Sequence, residues 1–353
     1  MFIVGFDLGK RKSQICVEDS DGNVVAEVRI NTTAEEITSA LAKFPGAHVL
    51  IEASTSADWV ARVLEGIGCE VVVADPRFSL MYAQTNKKIK NDRRDARALA
   101  DALRLKAFRR AHRKSEAARR LHGRLSIRRT LIGLRTRLIN HVRALCEREG
   151  VIVARCHHSG EFLEAIEGTQ MEPWLFEVIA PALAQIGSLS EQLAVLDKEL
   201  KATSDSDPVA RNLQTARGIG PITSLAFISV VDDPHRFESA RQLSSYLGLV
   251  PGEHNSAESR RPPGAITKTG DPMLRGYLFE AAFSLMTRRA PETPLKSWSA
   301  ALVKRSGGKK KKAAVGVARR LARILWAMWR DNKPFDAART APLNANAPAS
   351  KAA

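Results

Sequence analysis

Phe2-Ile-Val-Gly-Phe-Asp7 is an apolar run that ends on an acid, and His48-Val-Leu-Ile-Glu52 is a second run of the same kind. Both read as buried strands, where an ionised carboxylate is costly unless a cation meets it. In Asn91-Asp-Arg-Arg-Asp95-Ala-Arg-Ala-Leu-Ala100 two more acids stand three positions apart in a helix-forming stretch, so Asp92 and Asp95 share one helix face. Four carboxylates drawn to one place repel one another. A pair of divalent cations, about 4 Å apart in two-metal phosphoryl-transfer sites, removes the repulsion and supplies a catalyst. Asp7, Glu52, Asp92 and Asp95 are therefore the candidate catalytic and metal-ligating residues, with two Mg2+ ions as the expected cofactor and a nucleic-acid phosphodiester as the expected substrate.

Working outward from these runs, residues 2–9, 13–19 and 23–31 are short β-rich segments, the last two joined by a turn at Asp19-Ser-Asp-Gly22-Asn23. Thr33-Ala-Glu-Glu36 predicts a capping box opening a helix to Phe44. A strand at 48–53, a helix at 57–67 and a strand at Glu70-Val-Val-Val-Ala74 follow. The order β-β-β-α-β-α-β-α implies a mixed sheet with helices packed on it, and it matches an α/β RNase H-like fold. That fold gathers acids from its first strand, its fourth strand and a later helix, the three places that Asp7, Glu52 and the Asp92/Asp95 stretch occupy. An acid ending one strand is more often a turn or cap residue, and Asp-x-x-Asp on a helix is more often a solvated face. The conjunction of all three in order is what carries the reading. Asp75-Pro76 also follows a strand but reads as a turn initiator, and Asp58 and Glu70 read as surface acids.

Composition agrees with a polyanionic partner. Lys and Arg number 55 against 38 Asp and Glu, for a formal charge of +17, and the pI is about 10.1. A chain of 353 residues has room for two or three domains. Cys16, Cys69, Cys146 and Cys156 form no CxxC pair, which fits a reducing cytoplasm. No apolar stretch approaches the roughly 18 residues of a membrane span, and the N-terminus lacks a basic signal-peptide start. A cytoplasmic protein is expected.

From Arg104 to Arg148 the pattern predicts a densely basic helical region containing Arg109, Arg110, Arg113, Arg119, Arg120, Arg124, Arg128, Arg129, Arg135, Arg137 and Arg143. Beneath the charge runs an apolar spine, Leu131, Leu134, Leu138, Val142 and Leu145, and a second, Leu189, Leu193, Leu196 and Leu200, lies further on. Two such seams predict an antiparallel helical pair or an intersubunit coiled coil. With few compensating acids in the stretch, Arg109, Arg113, Arg120, Arg124 and Arg128 are expected to meet phosphates of DNA or RNA. Cys156-His157-His158 has soft ligands but no second pair at zinc spacing, so no metal is assigned there.

The C-terminal part opens with Arg217-Gly-Ile-Gly220-Pro-Ile-Thr223 before an apolar helix to Val231. Gly218 and Gly220 suggest a helix-hairpin-helix-like turn whose backbone N–H groups take a phosphate, although an ordinary interhelical turn shares the pattern. The polar loop Gly252-Glu-His-Asn-Ser256-Ala-Glu-Ser259-Arg260-Arg261-Pro-Pro-Gly264 follows, then Ile266-Thr-Lys268-Thr-Gly270-Asp-Pro-Met-Leu-Arg275 leading into a helix over 274–287. Arg260, Arg261, Lys268 and Arg275, with Lys309 and Lys310 of the basic loop Lys309-Lys-Lys-Lys312, are further candidate phosphate contacts. Residues after Asp336 are rich in Ala, Asn and Pro and are expected to be disordered. The domain expectation is 1–103 catalytic, 104–210 basic helical coiled coil, 211–336 C-terminal mainly helical domain and 337–353 tail.

The set GFDLGK, VLIEAS, KNDRRDARALA, RGIGPITSLA, GLVPGEHNS and GAITKTGDPMLR, in this order from residue 2 to Phe335, closely resembles the DEDD transposases of the "IS one-ten" insertion-sequence family. The resemblance implies a RuvC-like domain joined to a transposase domain with a nucleophilic serine, which falls on Ser256, with Ser259 as the neighbouring candidate. It also implies a DNA recombinase guided by a structured bridge RNA that pairs with donor and target DNA, and a tetramer built from dimers. Two other readings stay open: a metal-only nuclease of the Holliday-junction resolvase type, and a non-catalytic nucleic-acid-binding protein.

Overall fold

The computed structural model describes residues 1–78, 91–156, 158–252, 264–287, 290 and 292–337. The chain divides into two compact units, Met1–Arg113 and Lys114–Ala353.

In the first unit, strands β1 (Ile3–Asp7), β2 (Lys12–Glu18), β3 (Val24–Asn31), β4 (His48–Glu52) and β5 (Glu70–Ala74) are accompanied by helices α1 (Ala34–Leu41), α2 (Ala57–Gly66) and α3 (Asp92–Arg104). The sheet order is β3-β2-β1-β4-β5. The first three strands are antiparallel, whereas β1, β4 and β5 are parallel. Alternation along the strands sorts the side chains into two layers. Val4, Phe6, Val49 and Ile51 pack with Ile37, Leu41, Val60 and Leu64 of α1 and α2. On the opposite face Leu50 and Ala74 pack with Leu99 and Ala102 of α3. This mixed sheet with α3 on one face and α1 and α2 on the other is consistent with an RNase H-like domain.

Local details differ from expectation in two places. Thr33 caps α1 by accepting from the Glu36 N–H at 3.3 Å. The Glu36 carboxylate, however, reaches past Thr33 to accept from the Asn31 backbone at 2.6 Å, tying α1 to the end of β3. The predicted continuous helix from Arg104 is broken at 105–115. Lys106 takes a left-handed φ of 54°. Beyond it, Ala111 N–H donates to Val73 O and Asp75 N–H to Arg109 O (both 2.8 Å), so the segment lies along edge strand β5. Covering an exposed edge satisfies backbone groups that a helix there would leave open.

The second unit is helical among its described residues: α4 (Glu116–Arg148), α5 (Ser159–Glu167), α6 (Pro173–Ser206), α7 (Pro208–Gln214), α8 (Pro221–Val231), α9 (Ala240–Tyr246), α10 (Pro272–Leu285), α11 (Pro294–Arg305) and α12 (Lys310–Arg330). Helices α4 and α6 run antiparallel, as Arg124 meets Glu199, Arg128 meets Asp197 and Arg135 meets Ser190. The helices thus pair within one chain, but the seams do not face each other: Leu138, Val142 and Leu145 pack with Ile179 and Ile186 of α6, and Leu196 and Leu200 with Leu121 and Leu125 of α4. Leu189, Leu193 and Leu200 are buried, whereas Leu134 is exposed. Helix α6 is long and apolar enough, by length and composition, to cross a membrane. This corrects the expectation that no stretch reaches that length. Its apolar positions Leu175, Ile179 and Ile186 are spent in a core with Val142, Phe162 and Ile166 of α4 and α5. The core around α8, α10 and α12 is closed by Trp326, whose indole N–H donates to Pro234 O at 2.8 Å.

Candidate active site and nucleic-acid contacts

Asp7 and Glu52 end adjacent parallel strands, each one residue beyond the pair Phe6–Ile51. By the two-residue period, Asp7 shares the face of Gly5 and Glu52 that of Leu50, the face that α3 covers. Both acids are half-buried.

The direction of α3 follows from its ion pairs. At its N-terminus Asp92 lies 3.7 Å from Arg29, and Arg29 pairs with Gln14, which pairs with Asp7. At its C-terminus Arg104 lies 3.5 Å from Glu18, and Glu18 pairs with Ile3 at the start of β1. Helix α3 is therefore antiparallel to β1, with its first turn over the Asp7 end. Asn91 fixes that end, its side chain accepting from the Arg93 N–H at 3.0 Å. Asp92 and Asp95 occupy the first turn, where acids are favoured by the helix dipole.

Two features clamp this helix. Gly5 meets the backbone of Ala96, and no larger residue fits there. Glu27 of β3 binds both Arg93 and Arg97. Hydrogen bonds from Arg97 and then Arg93 hold the Glu27 carboxyl down at about 2. Neither feature was singled out in the sequence, although Glu27 stands among the apolar residues of a strand, which was the available signal.

The backbone thus brings all four acids to one end of the sheet. Among the described residues, however, no group of three or more His, Cys, Asp and Glu side chains converges closely enough to hold an ion. In chemistry the donor set suits a divalent metal, since Mg2+ takes hard carboxylate oxygens.

Ser256, Ser259, Arg260 and Arg261 lie outside the described residues. The root of their loop is pinned by a bridge between Pro251 and Ile266. Gly252 N–H donates to Ala265 O at 2.8 Å and Thr267 N–H to Val250 O at 2.9 Å. Below the bridge Lys268 adopts a φ of 56°. Arg275 donates to Leu247 O at 3.3 Å, and burial pulls its guanidinium pKa down.

The basic candidates fall into two groups. Arg113 is bound by Glu65 and Asp58, Arg120 by Glu116 at 2.5 Å, Arg124 by Glu199 at 2.8 Å and Arg128 by Asp197. The acids that neutralise them come mostly from other helices, so the impression of a stretch with few compensating acids needs correction. Arg109, Lys268, Lys309 and Lys310 are exposed. Lys310 through Lys312 form the first turn of α12 rather than a loop. Cations there oppose the helix dipole. Gly218 has a φ of 82° and faces Ala281 O of α10, while Gly220 caps α8 with open space before it. His157 and residues 338–353 also lie outside the described residues.

Comparison with known proteins agrees with this layout. A transposase model of the DEDD type of IS110 elements matches residues 4–148. A model described as "Transposase IS116/IS110/IS902 family" matches residues 210–297. The transposase for insertion sequence element IS1111A of Coxiella burnetii is 30% identical over 92% of this chain and 89% of its own length. A probable family 20 transposase of Pseudomonas aeruginosa is 29% identical over 92% of this chain and 96% of its own. A pilin gene-inverting protein of Moraxella lacunata is 30% identical over 52% of this chain and 56% of its own. A DEDD transposase domain implies use of divalent metal, and a transposase acts on DNA. With acids at the ends of β1, β4 and the start of α3, and with this similarity along most of its length, the chain belongs to the IS110 family of insertion-sequence transposases and is a DNA transposase/recombinase.

Proposed function

We propose that this transposase is a site-specific recombinase, directed by a structured bridge RNA, that cuts, exchanges and rejoins DNA strands through a phosphoserine intermediate. The observation that carries the catalytic part is the placement of Asp7 and Glu52 on paired strand ends, on the face where α3 starts with Asp92 and Asp95. The name of the gene-inverting relative supports site-specific exchange.

Ser256 Oγ attacks the scissile phosphorus, its proton passing to a general base, and the bond from phosphorus to the leaving strand oxygen breaks. The new serine–phosphate ester conserves the bond energy. A hydroxyl of the exchanged strand then attacks the same phosphorus and releases serine, so no external energy source is needed. Asp7, Glu52, Asp92 and Asp95 would hold two Mg2+ ions, which would supply charge neutralisation to the reacting oxygens. Lys268 and Arg275, near the Pro251–Ile266 bridge, would draw a DNA phosphate towards the serine. Target choice falls to base pairing with the RNA, as in other RNA-guided systems. Assembly as a tetramer of two dimers in the bacterial cytoplasm completes the reading.

The test is strand exchange between two plasmids carrying the element's ends and target, run with RNA from the element's flank. Ser256→Ala and Asp7→Ala are each expected to abolish product, and omission of the RNA to abolish targeting. Full exchange by Ser256→Ala, with Asp7→Ala inactive, would replace this reading by a metal-only nuclease.

A further inference from the structure

A cavity of about 460 Å3 opens in the second unit between α9, α11, α12 and the segment that follows α12. Its size lies in the range that takes a nucleotide-sized ligand. Trp298 and Arg320 both line it, the Arg320 guanidinium lying over the indole ring 4.6 Å from its centroid. Arg319, Arg323 and Lys333 also line it. Arg319 and Arg323 stand four apart on α12, a like-charge pairing that destabilises a helix unless an anion lies across it. Burial, and then the charge of Arg323, pushes the Arg320 pKa down. The lining acids are Asp331 and Asp336, and Asp331 is already met by Arg330 at 2.7 Å. Positive charge is thus in excess around an aromatic wall.

An aromatic ring beside clustered arginines is the combination that favours unpaired nucleotides, because a base in a duplex must first be unstacked and unpaired, at an energetic cost, to reach it. We propose that this cavity binds one unpaired nucleotide of a nucleic-acid strand, with its base against the stacked Arg320 and Trp298 and its phosphate on Arg319 and Arg323. The inference rests on the proposed recombinase function for its source of single strands, either displaced DNA or unpaired RNA.

The experiment measures binding of labelled oligothymidylate, oligouridylate and a blunt duplex to the full-length protein over a range of salt. An Arg319→Ala/Arg323→Ala variant is expected to bind single strands about tenfold more weakly, with the slope of log K against log salt reduced by about 0.7 to 1.4. Trp298→Leu is expected to weaken single-strand binding by about tenfold with an unchanged salt slope. Because Trp298 is half-buried, a melting curve accompanies that variant, and the arginine variant carries the test if it unfolds. Loss with oligothymidylate identifies a DNA strand as the source, loss with oligouridylate an RNA, and either supports the site. Unchanged single-strand affinity and slope in the arginine variant, or an equal loss for the duplex, overturns it. Strand exchange by wild type and Asp7→Asn is run in parallel. Exchange that depends on Asp7 while the arginine variant binds normally sinks the cavity alone. No exchange by wild type, while single strands still bind the cavity, sinks the recombinase reading instead.

Discussion

Gly5 of β1 and Ala96 of α3 touch backbone to backbone: a Cβ on Gly5 would stand 1.9 Å from the Ala96 carbonyl oxygen and 2.4 Å from Ala100 N. The helix that starts with Asp92 and Asp95 can lie on the strand that ends with Asp7 only because residue 5 has no side chain. Gly5→Ala must push α3 away from the sheet. The expected loss is about 3 kcal/mol, typical of overpacking a tight core, read as a lower melting temperature. DNA cleavage should fall with it, since the acids part.

Glu27 anchors α3 from the side. Its carboxyl ionises at about 2 instead of its ordinary 4.5. A carboxylate with a depressed value adds stability that is fully present above its unfolded value and is lost as pH falls through its folded one. The window is therefore between pH 4.5 and about 2. Because Arg93 and Arg97 are largely exposed, solvent screening limits the contribution to about 1–2 kcal/mol. Glu27→Gln should lower stability by that amount at neutral pH and flatten the acid limb of a stability profile. A profile identical to wild type would show that the two arginines do not depend on Glu27.

Arg128 and Asp197 offer a separate check on the basic region. If Arg128 serves α6, a double-mutant cycle with Asp197 will show coupling of about 1–2 kcal/mol in thermal or urea unfolding. The salt dependence of DNA binding should then change little in Arg128→Ala. A drop of about 0.9 in the salt slope with no coupling would return Arg128 to the phosphate contacts.

The cysteines should separate by reactivity. Burial, and then the charge of Glu18, pushes the Cys16 thiol up to about 12. Burial also raises Cys69 and Cys146. Thiolate is the reacting species, so at mildly alkaline pH half-buried Cys156 is expected to take a thiol reagent first. The other three should follow only on unfolding. Rapid labelling of Cys16 in the native protein would contradict the packing of β2.

Much of the first unit was legible because its signals are local. Strands β1 and β4 announce themselves as short apolar runs, the stretch 91–100 reads as a helix, and the acids stand at the ends of these elements. The pairing of 109–111 with β5 was not legible, since strand addition at an edge follows from a distant neighbour and leaves no periodicity of its own. The partners of Arg124 and Arg128 were hidden for the same reason: Glu199 and Asp197 lie on another helix. Gly5 reads as any glycine until α3 is seen against it. The run at Lys309 looked like a loop because lysines at a helix start defy the usual dipole preference.

The central claim is that Asp7, Glu52, Asp92 and Asp95 hold divalent metal at the end of the sheet. Titration of the full-length protein with Mn2+, followed by electron paramagnetic resonance, measures this directly. Saturable binding to wild type, reduced at least about tenfold in Asp7→Asn and in Asp92→Asn/Asp95→Asn while the melting curves persist, is predicted. Equal Mn2+ binding by wild type and both variants would contradict the account.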